Sequence, residues 1–267
     1  MLRNINRLLG HKIQATDGEL GKVDEFYFGD KKWDIRYMVV ETGNWLLNRK
    51  VLISPAALKA PDWNSRTFPV ALTLEQVRNS PDIDTKKTVT RQHEIELQKY
   101  YYGGGTFYAG GMSGGGMAGG GLAGVGMPGG SMLPPLVAQE ETPEAAAAAL
   151  AGEDVHLRGT RAVTGYSLHA SDGPIGKVED YILDDEKWVI RYLVADAGLW
   201  LPGRKVLIST HWLKKVAWET AEVFVKLTQA AVQNSPEFDP SRPVSGDYES
   251  VLYDHYGRPR SETKGKP

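Results

Sequence analysis

The chain has 267 residues, 30 glycines, no cysteine and a formal net charge of -2. That length suits two domains, and the missing cysteine excludes disulfides, zinc–thiolate sites, iron–sulfur clusters and cysteine nucleophiles. The near-neutral charge provides no general attraction to nucleic acid or to an anionic membrane. No run of about 18 apolar residues predicts a transmembrane helix. The stretch Met1 to Lys12 carries Arg3, Arg7 and Lys12 without an apolar run, so no secretory signal is expected and the expected location is cytoplasmic.

The dominant feature is an internal repeat. Residues 10–54 align without a gap on residues 165–209, at a constant separation of 155 residues, and about half the positions are identical. The register continues through Trp63 with Trp218, Asn79-Ser80-Pro81 with Asn234-Ser235-Pro236, and Tyr101 with Tyr256. The expected organisation is a first copy over residues 1–102, a flexible Gly/Met/Ala-rich linker over 103–154, and a second copy over 155–267.

In chain order, a short strand (Lys12 to Thr16; Ser167 to Ser171) precedes a turn at Asp17-Gly18 and Asp172-Gly173. A longer strand follows (Gly21 to Phe28; Gly176 to Leu183), then a polar hairpin loop at 29–32 and 184–187. The third strand (Trp33 to Glu41; Trp188 to Asp196) alternates, with Ile35, Tyr37 and Val39 on one face and Arg36, Met38 and Val40 on the other. After a bend at Gly43 and Gly198 come a fourth strand (Lys50 to Ile53; Lys205 to Ile208) and a fifth (Thr67 to Leu72; Glu222 to Leu227). One helical turn (Leu74 to Arg78; Ala230 to Gln233) stops before Ser-Pro. A terminal helix is predicted over His93 to Tyr101, and a short capped helix after Thr142-Pro143 in the linker. Short, regularly spaced strands predict a mainly β fold built on small barrels or sandwiches.

The succession D-G-x-[LI]-G-K-V, a polar hairpin, W-x-I-R-Y-[ML]-V and R-K-V-L-I-S resembles the PRC-barrel family, and both copies carry it. The resemblance implies two small closed β-barrels with short helical additions. Such barrels occur in the cytoplasmic domain of the photosynthetic reaction-centre H subunit and in the C-terminal domain of a ribosome-maturation factor. The resemblance therefore implies a binding or scaffold role toward a protein partner. Its alternatives are a soluble component peripheral to a photosynthetic or electron-transfer membrane complex, and a ribosome or RNA-processing adaptor.

No catalytic constellation emerges. None of the six histidines shares a repeat position with another, and a site built into the ancestral domain would be found twice. Asp17/Asp172 and Asp30/Asp185 read as turn residues capping their own backbone. Asp24-Glu25 and Glu179-Asp180 are adjacent on a strand and should point to opposite faces, which excludes an acid/base pair. No enzyme activity, cofactor or metal is expected. Four methionines, Met112, Met117, Met127 and Met132, fall in the linker without nearby histidine or cysteine, a poor set for copper. Candidate partner-binding residues are the repeated aromatic and arginine positions Trp33, Arg36, Tyr37, Trp45 and Arg49, with Trp188, Arg191, Tyr192, Trp200 and Arg204. Two copies on one chain can also form a pseudo-twofold pair or a homodimer, with Tyr37/Tyr192, Met38/Leu193 and Val40/Ala195 as the expected patch.

Overall fold

The computed structural model describes residues 1–81, 100, 156–198 and 203–258. The linker, and all of the terminal helix expected at His93 to Tyr101 except Tyr100, lie outside the described residues. Two mainly β units result. The first contains β1 (Leu2–Asn4), α1 (Ile5–Leu8), β2 (Lys12–Gln14), β3 (Glu19–Gly29), β4 (Ile35–Glu41), β5 (Lys50–Ile53), β6 (Thr67–Pro69) and α2 (Leu74–Arg78). The second contains β7 (Leu157–Gly159), α3 (Thr160–Val163), β8 (Ser167–Ala170), β9 (Gly173–Asp184), β10 (Val189–Asp196), β11 (Lys205–Ser209), β12 (Leu213–Ala217), β13 (Glu222–Val225), α4 (Gln229–Gln233) and α5 (Gly246–His255).

The sheets run β5-β4-β3-β2-β6 and β11-β10-β9-β8-β13-β12, antiparallel except for the parallel pairs β2–β6 and β8–β13. Both sheets are open, which corrects the expectation of closed barrels. In the second unit the outermost strands β11 and β12 are consecutive in the chain. They are joined by a 3₁₀ turn at Thr210–Trp212, capped by the Ser209 hydroxyl. This turn carries the chain round a corner, and no ladder joins the two strands among the described residues.

β3 and β9 are long, and their C-terminal ends extend past β2 and β8. Such an overhang is an unpaired edge, which sheets normally cover. Each overhang is covered by the other unit's first strand. Leu2, Arg3 and Asn4 pair with Asp184, Leu183 and Ile182, while Leu157, Arg158 and Gly159 pair with Gly29, Phe28 and Tyr27. The registers are equivalent under the repeat, so the units are related by a pseudo-twofold axis. The contact thus lies at the N-terminal strands and the hairpin tips, and of the patch expected on the third strand it takes in Tyr37, which packs with Leu157 of the second unit.

That patch is differently employed because the third strand does not alternate simply. Tyr27 pairs with Tyr37 and Phe28 with Ile35, which makes Arg36 the extra residue of a β-bulge; Arg191 is its equivalent in β10. The bulge turns Ile35 to the same side as Met38 and Val40, in a core cluster that runs continuously through both units. Tyr37 and Val39 lie with Tyr27, Leu52 and Leu157 in a separate small cluster. In the second unit α5 packs beside β10, with the Tyr192 hydroxyl donating to Glu249 and Trp212 meeting Tyr253 edge-on at 5.3 Å.

Candidate functional site

The seam between the units carries reciprocal hydrogen bonds and ion pairs. A four-residue helix such as α1 or α3 leaves backbone N–H groups without acceptors at its start. Neither Asn4 nor Gly159, the N-cap residues, supplies a side-chain cap. The acceptor comes from the other unit: Asn6 N–H donates to Asp180 at 3.2 Å and Arg161 N–H to Glu25 at 2.9 Å. Glu25 and Asp180 are repeat equivalents, so each unit caps the other's helix. Burial raises the pKa of both carboxyls above the ordinary range, against the lowering by those N–H donors.

Asp24 and Glu25 do not point to opposite faces, as strict alternation predicted. A bulge between Val23 and Glu25 in the β3–β4 ladder inserts Asp24 as an extra residue. Both carboxylates reach Arg161, whose guanidinium donates to Asp24 at 2.6 and 3.0 Å. Lys50 also meets Asp24, at 2.8 Å, and these cations lower the Asp24 pKa against its burial.

The repeated turn acids are also differently employed. Asp30 accepts the His156 N–H at 3.2 Å, and Asp185 ion-pairs with Arg3, so both reach across the seam. Asp17 and Asp172 accept the first N–H of α2 and α4, from Leu74 at 2.8 Å and Gln229 at 2.7 Å. Thr73 and Thr228 already cap the third N–H of these helices, so each Asp satisfies the first N–H, which the threonine cap leaves free.

The hairpin tips of the two units meet back to back. Ile35 N–H donates to the Trp188 carbonyl at 2.7 Å and Ile190 N–H to the Trp33 carbonyl at 2.8 Å. Both tryptophans have φ in the left-handed region, 59° and 53°, which is costly for a bulky residue; each stands where its hairpin turn closes, and the Trp33 N–H donates to the Gly29 carbonyl at 2.9 Å. Trp33 stacks on Phe28 at 4.8 Å, whereas Trp188 reaches Phe26 and Phe68 of the first unit at 6.4 and 6.2 Å.

Of the candidate partner-binding residues, then, Trp33 and Trp188 come together at the seam. Arg36 pairs with Asp34 at 2.6 Å, and Arg191 lies 3.5 Å from both Asp184 and Glu249. Tyr37 is buried, and Tyr192 is held by Glu249. The Trp45 indole donates to the Leu20 carbonyl at 2.6 Å. Arg49 donates to the carbonyls of Arg78 and Ser80, and Arg204 to that of Ser235, closing the ends of α2 and α4. Trp200 lies outside the described residues.

Sequence reasoning missed the crossing residues Arg3, Asn4, Glu25, Arg158, Gly159 and Asp180. A signal was present, since Leu2-Arg3 and Leu157-Arg158 match in the repeat register upstream of the aligned block. Among the described residues no group of His, Asp and Glu is arranged to hold a metal, and no helix is long and apolar enough to cross a membrane. No protein-family model matches the chain, and no curated protein matches it either.

Proposed function

We propose that the chain is a non-enzymatic binding protein: two open-sheeted units of PRC-barrel type, locked into a two-headed scaffold for a protein partner. The observation that carries this reading is the reciprocal exchange of β1 and β7. Each unit completes the other's sheet, which fixes the orientation of the two units relative to one another. A partner that spans both units would meet them at once and gain from the high effective concentration of the second contact.

The surface best suited to a first contact is the turn after β4. Leu47 at its tip is 92% exposed, Trp45 beside it is half-buried, and the Arg78 guanidinium lies 5.9 Å from the Trp45 ring. Tryptophan and arginine are the residue types enriched at interface anchors, and the exposed Leu47 extends their apolar surface. The full chain and its Leu47→Asp variant, immobilised and cross-linked in extract of the native host, test the reading by mass spectrometry. The expected result is a protein retained by the parent chain and reduced about tenfold by the variant, the equivalent of about 1.4 kcal/mol, at unchanged melting temperature. Retention of nothing by the parent, or equal retention by both, would overturn it.

A further inference from the structure

We infer that the seam carries an anion site: the cleft lined by Arg3, Arg7, His11, Trp63, Arg66 and Arg242 binds a phosphate group, as inorganic phosphate or as a small phosphate monoester. This is independent of the protein-binding reading, because the cleft does not include the turn that reading uses.

The first support is uncompensated charge. Four arginines line a cleft of about 320 Å³, near the lower end of the volumes that small ligands occupy. Arg3 lies 3.5 Å above the Trp63 ring and ion-pairs with Asp185, and Arg242 pairs with Asp239 at 3.3 Å. Arg7 and Arg66 hold only backbone acceptors, the Ser241 carbonyl at 3.3 Å and the Arg7 carbonyl at 3.4 Å. Neither has a carboxylate within ion-pair distance among the described residues; Asp239, which pairs with Arg242, also attracts Arg7 at longer range. Guanidinium is the side chain best matched to phosphate, with paired N–H donors and a weakly held hydration shell.

The second support is His11. It lines the cleft, is only 5% exposed, and its Nδ1 makes no well-formed hydrogen bond among the described residues, the backbone of Leu8 and Leu9 being its nearest polar neighbours. A buried imidazole nitrogen left unpaired is costly in an otherwise satisfied fold. Burial, then Arg66 and Arg3, lower its pKa, which registers the positive field of the cleft.

The third support is the other copy. The frame is duplicated there, with Arg158 lying 4.4 Å over the Trp218 ring. The charges are not. Ala162, Tyr166 and Ala221 stand where the first unit has Arg7, His11 and Arg66. Ala221 even shares the left-handed backbone of Arg66, with φ of 55° against 56°. The fold therefore forms without these three side chains, and their presence at one seam only is a specialisation.

The second copy also supplies the test. Arg7→Ala/Arg66→Ala and His11→Tyr install residues that this fold already accommodates. Calorimetric titration of the full chain at low ionic strength with inorganic phosphate, with glycerol 3-phosphate, and with chloride at matched ionic strength should give saturable binding for the phosphates alone. The double variant should weaken it at least tenfold, while Lys226→Ala, on an exposed residue away from the cleft, should not. Tighter binding of glycerol 3-phosphate than of phosphate assigns the site to a monoester, and equal binding to the free ion. If the double variant melts early, Arg66→Ala and His11→Tyr alone must each still weaken binding. No saturable heat, equal affinity in the variants, or an equal response to chloride would overturn the inference.

Discussion

The seam around Glu25 and the seam around Asp180 perform one task with differently sized parts. At the first, a glutamate reaches the N–H of Arg161, and the neighbouring N-cap is Gly159. A Cβ there would overlap the Glu25 Oε1 and press on the Tyr27 ring at 3.1 Å. Gly159 has φ of -80°, so its backbone has no need of glycine; the room taken by the longer acid does. At the second, an aspartate reaches Asn6, and the space is taken by Asn4, whose amide donates to the same carboxylate at 3.4 Å. What duplication has preserved is a hydrogen bond and a filled volume, while neither residue of the pair was kept.

The largest effect that would break this near-symmetry is expected at the tryptophans. Trp188→Ala removes packing against Phe26 and Phe68 across the seam. Loss of a large aromatic of this kind costs about 3 kcal/mol. Trp33→Ala removes a stack within its own unit at a similar cost. The two should differ in form: the parent and Trp33→Ala should unfold in one calorimetric transition, and Trp188→Ala in two, because it loosens the shared core. One transition for both variants would show that strand exchange alone couples the units.

Next in size is the pair of seams itself. Gly159→Asn, copying the second seam's Asn4 into the first, should destabilise by about 2 kcal/mol through overpacking against Glu25. Shortening the acid in the same chain, Gly159→Asn/Glu25→Asp, should recover more than half of that. Denaturant melts of the two single variants and the double give the coupling directly. Strict additivity would mean that the two substitutions do not share a space.

How far this was legible beforehand follows from the same residues. The repeat, the strand succession and the mainly β class were all readable, because turn signals and apolar runs are local. The bulges at Asp24 and Arg36 were not, since an extra residue in a ladder leaves no mark on one strand alone; it reassigned Ile35 to the core and Glu25 to the seam. Strand exchange was hidden because Leu2–Asn4 is three residues long, too short for a periodic signal. Asp30 and Asp185 looked like ordinary turn residues because the partner that claims them is more than a hundred residues away in sequence.

A smaller effect separates the two roles of Glu25. Glu25→Ala removes the cap on α3 and should cost about 1 kcal/mol. Glu25→Gln keeps an acceptor and removes the buried charge. The folded pKa of Glu25 is raised by burial, so the folded state holds its proton more tightly than the unfolded one. The stability that this group adds is present in acid and falls as pH rises through the raised value. The parent should therefore lose stability relative to Glu25→Gln on going from about pH 4 to neutral, as read by denaturant midpoints. A difference that is constant with pH would show that the carboxyl is not desolvated.

The smallest effect belongs to His11 and has the opposite sign. The groups facing it are the Arg66 and Arg3 guanidiniums and the backbone of Leu8 and Leu9, with the Phe68 and Trp63 rings on its faces. Burial and the two arginines lower its pKa, against the raising by the backbone carbonyls. In the pH range just below the ordinary histidine value of about 6.5, the unfolded chain therefore takes up the proton and the folded chain does not. Stability should then fall as pH drops below about 6.5 and level off once the folded pKa is passed. Tyr166 stands in this position in the second unit, so His11→Tyr should flatten the profile without disturbing the sheet. The cleft is open to solvent and its charges are screened by salt, so the slope is expected to shrink with added chloride. It should shrink further with phosphate at equal ionic strength, because an anion beside the ring favours the protonated form. A phosphate response no larger than that of chloride would reduce His11 to an ordinary buried histidine and leave the arginines without a ligand.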